Sequence, residues 1–330
     1  MPNNKPKNLK KTLVVGISAT ALFNMDESDR IFLDSKDNDP DTAIESYRNY
    51  MLKHEDIALE AGTGYPIVEA LLGLNRYQRN SDSPLVEVVI MSRNSPDTGV
   101  RVLNTIRQNK LAISRSAFTA GESVVDYIEA FDVDLFLTTN IDDAQKVIDS
   151  RACAAAVVKA PPKNKTDRPE GQVRIAFDGD AVLFGDESEL LYKQEGLSEF
   201  QNQEDRKKDI PLKAGPYAKL LIKLSKLQER LPMRIEYSPI RIALVTARSS
   251  PAEMRVIKTL RRWGVYIDEA FFMGGLDKTK ILNAFRPHIF FDDQDIHLDR
   301  AAGTIPSGKV PYLSESQLSE PQYSDHKQNK

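Results

Sequence analysis

The stretch VVIMSRNSPDTGVRVLNTIRQNKLAISRSAFTAGES, residues 88–123, has a second version in IALVTARSSPAEMRVIKTLRRWGVYIDEAFFMGGLD, residues 242–277. A constant offset of 154 relates them: Arg101 falls on Arg255, Val102 on Val256, Thr105 on Thr259, Ile113 on Ile267, Phe118 on Phe272 and Gly121 on Gly275. The register persists downstream, with Ala130-Phe131 on Ala284-Phe285 and Phe136 on Phe290. Upstream, ALFNMDES (21–28) resembles VLFGDES (182–188) with one residue of slippage. An ungapped register over several elements, at a period far longer than a solenoid repeat, reads as a duplicated domain. The Pro/Lys-rich stretch 160–171 reads as the solvated linker between the copies.

Within each copy, short apolar runs alternate with helix-like segments. The runs fall at 12–17, 87–91, 133–137 and 154–158, then at 173–177, 241–245 and 288–291. They are continuous rather than alternating, as parallel strands covered on both faces require. Ser250-Pro251-Ala252-Glu253 offers an N-cap serine, a proline at the first helical position and a glutamate three residues after the cap. Ser95-Pro96 opens the equivalent helix of the first copy. The βα order predicts an α/β fold with a doubly wound parallel sheet in each half. The expected division is a first half over 12–160 and a second over 172–313. A charged, helix-prone insertion at about 187–230, broken by Pro211 and Gly215-Pro216, interrupts the second half. The polar tail 314–330 is expected to be disordered.

Composition bounds the rest. The chain has 330 residues, and 45 basic against 48 acidic side chains leave −3, which excludes a polybasic nucleic-acid binder. No run approaches the ~18 apolar residues of a membrane span, and the run at 13–17 is too short for a signal-peptide core. The single cysteine, Cys153, permits no intramolecular disulfide and reads as a small core residue. One cysteine and four scattered histidines exclude a structural zinc cluster. The expectation is an intracellular, cytoplasmic protein.

Parallel sheets hold their ligands at the carboxyl ends of the strands. In the second half those ends carry Asp178-Gly179-Asp180, then Thr246, then Lys278 at a helix start, then Asp292-Asp293. Each piece alone is a common turn or surface feature. In this order they form the set that phosphoryl transfer to a carboxylate needs. One acid attacks phosphorus, and a second, two residues on, protonates the leaving oxygen and then activates water. Other acids hold Mg²⁺, while a hydroxyl and an ammonium stabilise the phosphoryl oxygens. At the same offset the first half has Thr138-Thr139 for Asp292-Asp293, Val124 for Lys278, and no acid between Ile17 and Thr20. The second half is therefore read as catalytic. The first is read as a degenerate partner that shapes the pocket or offers an interface for a homo-oligomer.

RIAFDGDAVLFGDESE (174–189), ALVTARSS (243–250) and RPHIFFDDQ (286–294) resemble the cytosolic 5′-nucleotidase type I family, of the haloacid-dehalogenase-like superfamily. The first half agrees through VVIMSRNSPDTGVRVLN (88–104) and FDVDLFLTTN (131–140), so the likeness spans about residues 12–313. The resemblance implies two Rossmannoid halves and Mg²⁺-dependent hydrolysis of nucleoside 5′-monophosphates. By the family pattern Asp178 is the nucleophile and Asp180 the general acid/base, which also lends a backbone carbonyl to the metal. Thr246 and Lys278 contact phosphate, and Asp292 or Asp293 completes the metal ligands. Lys280 is a competitor for the place of Lys278.

The insertion resembles a cap over the pocket, whose Phe200 or Tyr217 is a candidate to stack on a base. Arg93 and Asn94 of the first half, beside Thr119-Ala120-Gly121, and Arg248 of the second are candidates for substrate contact. Neither nucleic acid nor membrane is expected as a partner. The competing readings are a phosphatase for another small phosphate, such as a sugar phosphate, and a nucleotide-sensing module without turnover.

Overall fold

The computed structural model describes residues 9–38, 40–79, 83–164, 167–232, 238–320 and 323. In chain order the first half supplies β1 (Leu13–Ile17), a small separate pair β2 (Phe23–Asn24) and β3 (Glu60–Ala61), then β4 (Val86–Ser92), β5 (Arg115–Phe118), β6 (Leu135–Thr138) and β7 (Ala154–Val158). The second half supplies β8 (Val173–Phe177), β9 (Ile240–Thr246), β10 (Glu269–Phe272), β11 (Ile289–Asp292) and β12 (Ser307–Lys309). Apart from β2 and β3, all join one ten-stranded sheet in the order β10-β9-β8-β11-β12-β7-β6-β1-β4-β5, with helices on both sides.

Read outward from the middle, the two runs have the same order. β7-β6-β1-β4-β5 corresponds to β12-β11-β8-β9-β10. The bounds of β4, β5 and β6 lie 154 residues before those of β9, β10 and β11. Neighbours within each run are parallel. At the junction β12 and β7 are antiparallel, through Gly308 opposite Val158 and Lys309 opposite Val157. The carboxyl ends of the two runs consequently lie along opposite rims of the sheet.

The helices are α1 (Ala19–Leu22), α2 (Asp26–Asn38), α3 (Pro40–Lys53), α4 (Tyr65–Gly73), α5 (Val100–Gln108) and α6 (Ile141–Ser150), then α7 (Glu187–Arg206), α8 (Ala218–Gln228), α9 (Glu253–Arg262), α10 (Thr279–Phe285) and α11 (Asp295–Ala301). α5 and α9 bury residues at the same places in the pattern: Arg101, Val102, Thr105 and Ile106 against Arg255, Val256, Thr259 and Leu260. The polar members of these quartets anchor loops. Thr105 Oγ1 accepts from Leu59 N at 3.1 Å, and Thr259 Oγ1 from Leu212 N at 2.9 Å. Arg101 Nε donates to Ile57 O at 3.1 Å, and Arg255 Nε to Ile210 O at 2.8 Å. Buried backbone groups are thereby satisfied in the same way in both halves.

Three expectations change. The insertion expected in the second half alone has a counterpart, because α2 and α3 stand between β1 and β4 as α7 stands between β8 and β9. α9 starts at Glu253 with Ala252 as N-cap and no side-chain cap, because the turn closed by Ala252 N–H on Ser249 O takes up Ser250 and Pro251. The tail expected to be disordered from 314 is bonded as far as it is described. Ser314 N–H and Oγ–H donate to Asp149, Ser316 Oγ to Asp186, and Leu318 is buried. Residues 321–322 and 324–330 lie outside the described residues. Among the described residues no helix is long and apolar enough to cross a membrane.

Candidate active site

β8, β9 and β11 end side by side, β8 in the middle, and their ends bring the acids together. Asp178 follows β8 directly, and its N–H donates to Phe291 O of β11 at 2.8 Å. Lys278, at the N-cap position of α10, reaches between two carboxylates. Its Nζ lies 2.6 Å from Asp178 Oδ1 and 2.6 Å from Asp292 Oδ2. Asp277 caps the helix instead, accepting from Thr279 N at 2.8 Å. Lys280 is exposed, and Lys278 is the one of the two that is buried among the acids. Thr246 closes β9 beside Gly179. A side chain at Gly179 would put its first carbon 3.1 Å from Thr246 Oγ1, so glycine is what lets the loop after β8 lie against that hydroxyl.

The charged groups of the site lie below the surface. Asp178, Thr246, Lys278, Asp292 and Asp293 are all buried, and a cavity of about 240 Å³ opens above Asp178. Burial pushes the Asp178 carboxyl up to about 6, against the opposing Lys278 charge. Burial works against the Lys278 ammonium, but Asp178 and Asp292 outweigh it and hold its pKa above the ordinary lysine value. Burial, then the charges of Glu189, Asp292 and Asp178, drive Asp293 well above the usual carboxylate range. Burial likewise lifts Glu189 to about 7, with Lys193 opposing. A buried crowd of acids with one ammonium between two of them is short of positive charge.

Asp293 Oδ2 accepts from Tyr312 OH at 2.6 Å, but its Oδ1 is buried with no hydrogen-bond partner, as is Glu189 Oε2. Orphaned buried carboxylate oxygens beside Asp178 and Asp292 suit a hard divalent cation. Among the described residues no three acids, histidines or cysteines converge into a closed metal cage. Magnesium does not need one, since it is usually bound by one or two carboxylates and completes its shell with water and phosphate oxygens.

Asp180 is held apart from this group. Arg248 donates to both of its oxygens, Nε to Oδ2 at 2.8 Å and Nη2 to Oδ1 at 2.6 Å. The guanidinium also reaches Glu204 Oε2 at 2.7 Å and lies over the Phe200 ring at 5.4 Å. Phe200 lines the cavity with Tyr192 and Leu197, all on α7, whose helix is broken at Gly196 by a φ of +80°. Tyr192 meets Phe200 edge-on at 6.3 Å and is half exposed.

Three expected substrate contacts are elsewhere. Tyr217 is fully buried and packs on Phe291 at 5.0 Å and Phe177 at 6.1 Å, beneath the strands, so it belongs to the core. Arg93 pairs with Asp143 at 2.7 Å, and Asn94 Oδ1 accepts from Tyr47 OH at 3.4 Å. Both sit at the carboxyl end of β4, on the rim opposite Asp178. The antiparallel junction excludes them, and every residue lining the cavity lies between Asp178 and His297. The first half therefore does not shape this pocket. The residues that sequence reasoning missed are Glu189, Tyr192, Lys193, Glu204, Gln294 and Tyr312. Gln294 Nε2 and Lys193 Nζ both donate to Glu189 Oε1, at 3.0 and 2.9 Å.

A family model described as 5′-nucleotidase matches residues 5–317. Human cytosolic 5′-nucleotidase 1B is 35% identical over 303 residues, covering 90% of this chain and 48% of that protein. The chain thus spans about half the length of that curated relative. No solved structure matches. With the family model covering nearly the whole chain, acids and site included, the chain belongs to the 5′-nucleotidase family.

Proposed function

We propose that the chain hydrolyses nucleoside 5′-monophosphates to nucleoside and phosphate, with Mg²⁺, through a phosphate ester of Asp178. The observation that carries this is the Asp178–Lys278–Asp292 contact beside a cavity that α7 lines with Tyr192, Leu197 and Phe200. The charged contact suits a phosphate. Tyr192 and Leu197, exposed on the cap, suit the flat base at the other end of a nucleotide.

Asp178, held as a carboxylate by Lys278, attacks phosphorus in line with the ester oxygen. Asp180 gives that oxygen its proton, and the nucleoside leaves. Asp180, now a carboxylate, takes a proton from water. The water oxygen attacks phospho-Asp178, and phosphate and free Asp178 return. The Lys278 ammonium and Thr246 hydroxyl stabilise the equatorial phosphoryl oxygens as charge moves. Asp178, the Asp180 carbonyl, and Asp292 or Asp293 would hold Mg²⁺, which supplies charge neutralisation on the phosphate when bound. Burial of the acids keeps water from competing with the attacking carboxylate.

The test is phosphate release from a panel of nucleoside monophosphates and sugar phosphates, with and without Mg²⁺, beside Asp178→Asn. Magnesium-dependent release from nucleotides, lost in Asp178→Asn, is expected. Release from sugar phosphates alone would keep the chemistry and discard the substrate. Tight nucleotide binding with no release would replace the enzyme by a sensor.

A further inference from the structure

Arg248 lines the pocket, and all three of its nitrogens donate to carboxylates. The Nε and Nη2 positions are taken by the two Asp180 oxygens, and Nη1 by Glu204 Oε2. Glu204 is fully buried on the cap helix α7. Its other oxygen accepts from Arg255 Nη1 at 2.8 Å and Ser188 Oγ at 3.1 Å. The chain of contacts therefore runs from the cap through one guanidinium to the carboxyl that moves the proton. A planar fork fixes both the position and the plane of a carboxylate, which a lysine cannot do.

The first half provides an internal control. At the offset of 154, Arg255 corresponds to Arg101 and Arg248 to Asn94; at 153, the spacing of the anchored carbonyls of Ile57 and Ile210, Glu204 corresponds to Met51. The corresponding loop after β1 has Thr20 where the second half has Asp180. The arginine that anchors a loop backbone is present in both halves, bonded to Ile57 O in one and Ile210 O in the other. In the first half it lies over the Tyr50 ring at 5.5 Å instead of pairing with an acid. The anchor is thus structural, and the fork with its glutamate appears only where Asp180 does.

We infer that Arg248 is the positioning residue of Asp180, and that Glu204 ties this position to the seating of the cap helix. This rests on the reading of Asp178 as nucleophile and Asp180 as proton-transfer group. The fork fixes the place and plane of the Asp180 carboxyl: its acid form, with one guanidinium N–H turned away, gives the leaving oxygen its proton, and the resulting carboxylate, held by both N–H groups as seen here, takes the proton of the attacking water. Substrate phosphate is bound by other groups, so loss of the fork slows proton transfer without loosening the substrate.

The experiment uses Arg248→Lys, which keeps the charge and removes the fork, and Glu204→Gln, which keeps the shape and loosens the arginine. Nucleotide turnover in Arg248→Lys is expected to fall about 100-fold in kcat, the scale of a small misplacement, with KM within about threefold. Glu204→Gln is expected to fall about tenfold in the same pattern. With p-nitrophenyl phosphate, whose leaving group needs no proton, Arg248→Lys is expected to release about one equivalent of p-nitrophenol in a burst. Slow turnover follows, with phosphate trapped on Asp178 and visible in acid-quenched protein mass.

A raised KM with kcat kept would make Arg248 a substrate contact and overturn the inference. So would wild-type kinetics in both variants, or loss of burst and turnover together in folded protein. If Arg248→Lys does not fold, the KM-against-kcat split in Glu204→Gln decides alone. Wild-type protein with no Asp178-dependent release would remove the nucleotidase reading, and this one with it. Release that is normal in the wild type and lost in Asp178→Asn isolates a failure to Arg248.

Discussion

At the carboxyl end of β8 stands Asp178, and at the carboxyl end of β1 stands Ser18, each with its N–H on a neighbouring strand: Phe291 O at 2.8 Å and Leu137 O at 2.9 Å. Around them Asp180 faces Thr20, Thr246 faces Ser92, Asp292-Asp293 face Thr138-Thr139, and Lys278 faces Val124. The backbone is shared and the charge is not. On the first rim Ser18 Oγ bonds Thr20 Oγ1 at 3.1 Å, and Thr20 Oγ1 bonds Thr139 Oγ1 at 2.6 Å. Hydroxyls donate and accept, so they satisfy one another. Carboxylates only accept. On the second rim the same positions depend on an ammonium and leave buried oxygens without donors. One scaffold thus carries a rim whose hydroxyls satisfy one another and a rim whose buried carboxylate oxygens outnumber their donors.

The largest effect that tests this contrast is catalytic. Asp178→Asn should lower nucleotide hydrolysis at least about 10⁴-fold, while Ser18→Ala leaves it within about twofold. Equal losses from both would end the division between the rims. Next comes transplanting the charge. Ser18→Asp puts a buried carboxylate where Val124 offers no ammonium, and should cost about 3–5 kcal/mol in urea unfolding. The reverse change, Asp178→Ser, should leave metal-free protein within about 1 kcal/mol of wild type or above it, as expected where function is held at the expense of stability. A tolerated Ser18→Asp would show that the first rim is not tuned to neutrality.

The strand starts differ too. Val14 N–H donates to Asp134 Oδ2 at 2.9 Å, and the matching Arg174 N–H donates to His288 Nδ1 at 3.1 Å. Burial, then the Arg168 charge, lowers the His288 pKa to about 4. The unfolded chain, near 6.5, binds more protons between those values. The His288 contribution is therefore present above pH 6.5 and is lost as pH falls toward 4. Its size is about 3 kcal/mol, and His288→Gln should flatten the difference between unfolding at pH 7 and pH 4.5. An unchanged slope in the variant would assign the acid sensitivity to another group. The smallest effect is at Tyr312. Tyr312→Phe removes the hydroxyl that donates to Asp293 Oδ2, and should lower the melting temperature of metal-free protein by about 2–4 °C. Magnesium should recover part of that loss, and an undiminished loss at saturating metal would place Tyr312 in packing alone.

The recurring strand pattern of the core was legible because its register from β4 to β6 is ungapped. β4, β5 and β6 reappear as β9, β10 and β11 at a fixed distance, and the acids that break the likeness stand out against it. The weaker strands were not legible. β5 and β10 are half-buried edge strands carrying Arg115 and Glu269, and β12 is Ser-Gly-Lys, without one β-branched residue. Because β12 was invisible, so was its antiparallel pairing with β7. That pairing is what puts Arg93 and Asn94, candidates for substrate contact by sequence, on the rim away from the cavity. Glu189 and Glu204 sit in a stretch rich in charge, which reads as solvated. Glu204 is paired inside the protein by Arg248 and Arg255, 44 and 51 residues away, and no local pattern announces such partners. Tyr312 lay beyond the last motif.

The junction of the two runs also bears on how the chain survives outside its native state. The outer edges are guarded by charge, Arg115 paired with Glu87 along β5 and Arg241 with Glu269 along β10. Within β7, on the inner edge, there is no such guard. β7 is Ala-Ala-Ala-Val-Val, uncharged and without proline, and its cover is two residue pairs of β12. A naked strand of that composition is a template for pairing with another chain. During synthesis β7 emerges about 150 residues before β12, so the growing first half must carry it uncovered or shield it by other means. A fragment ending before residue 307 would keep that edge open permanently. Its solubility, rather than its fold, would be the first thing to fail.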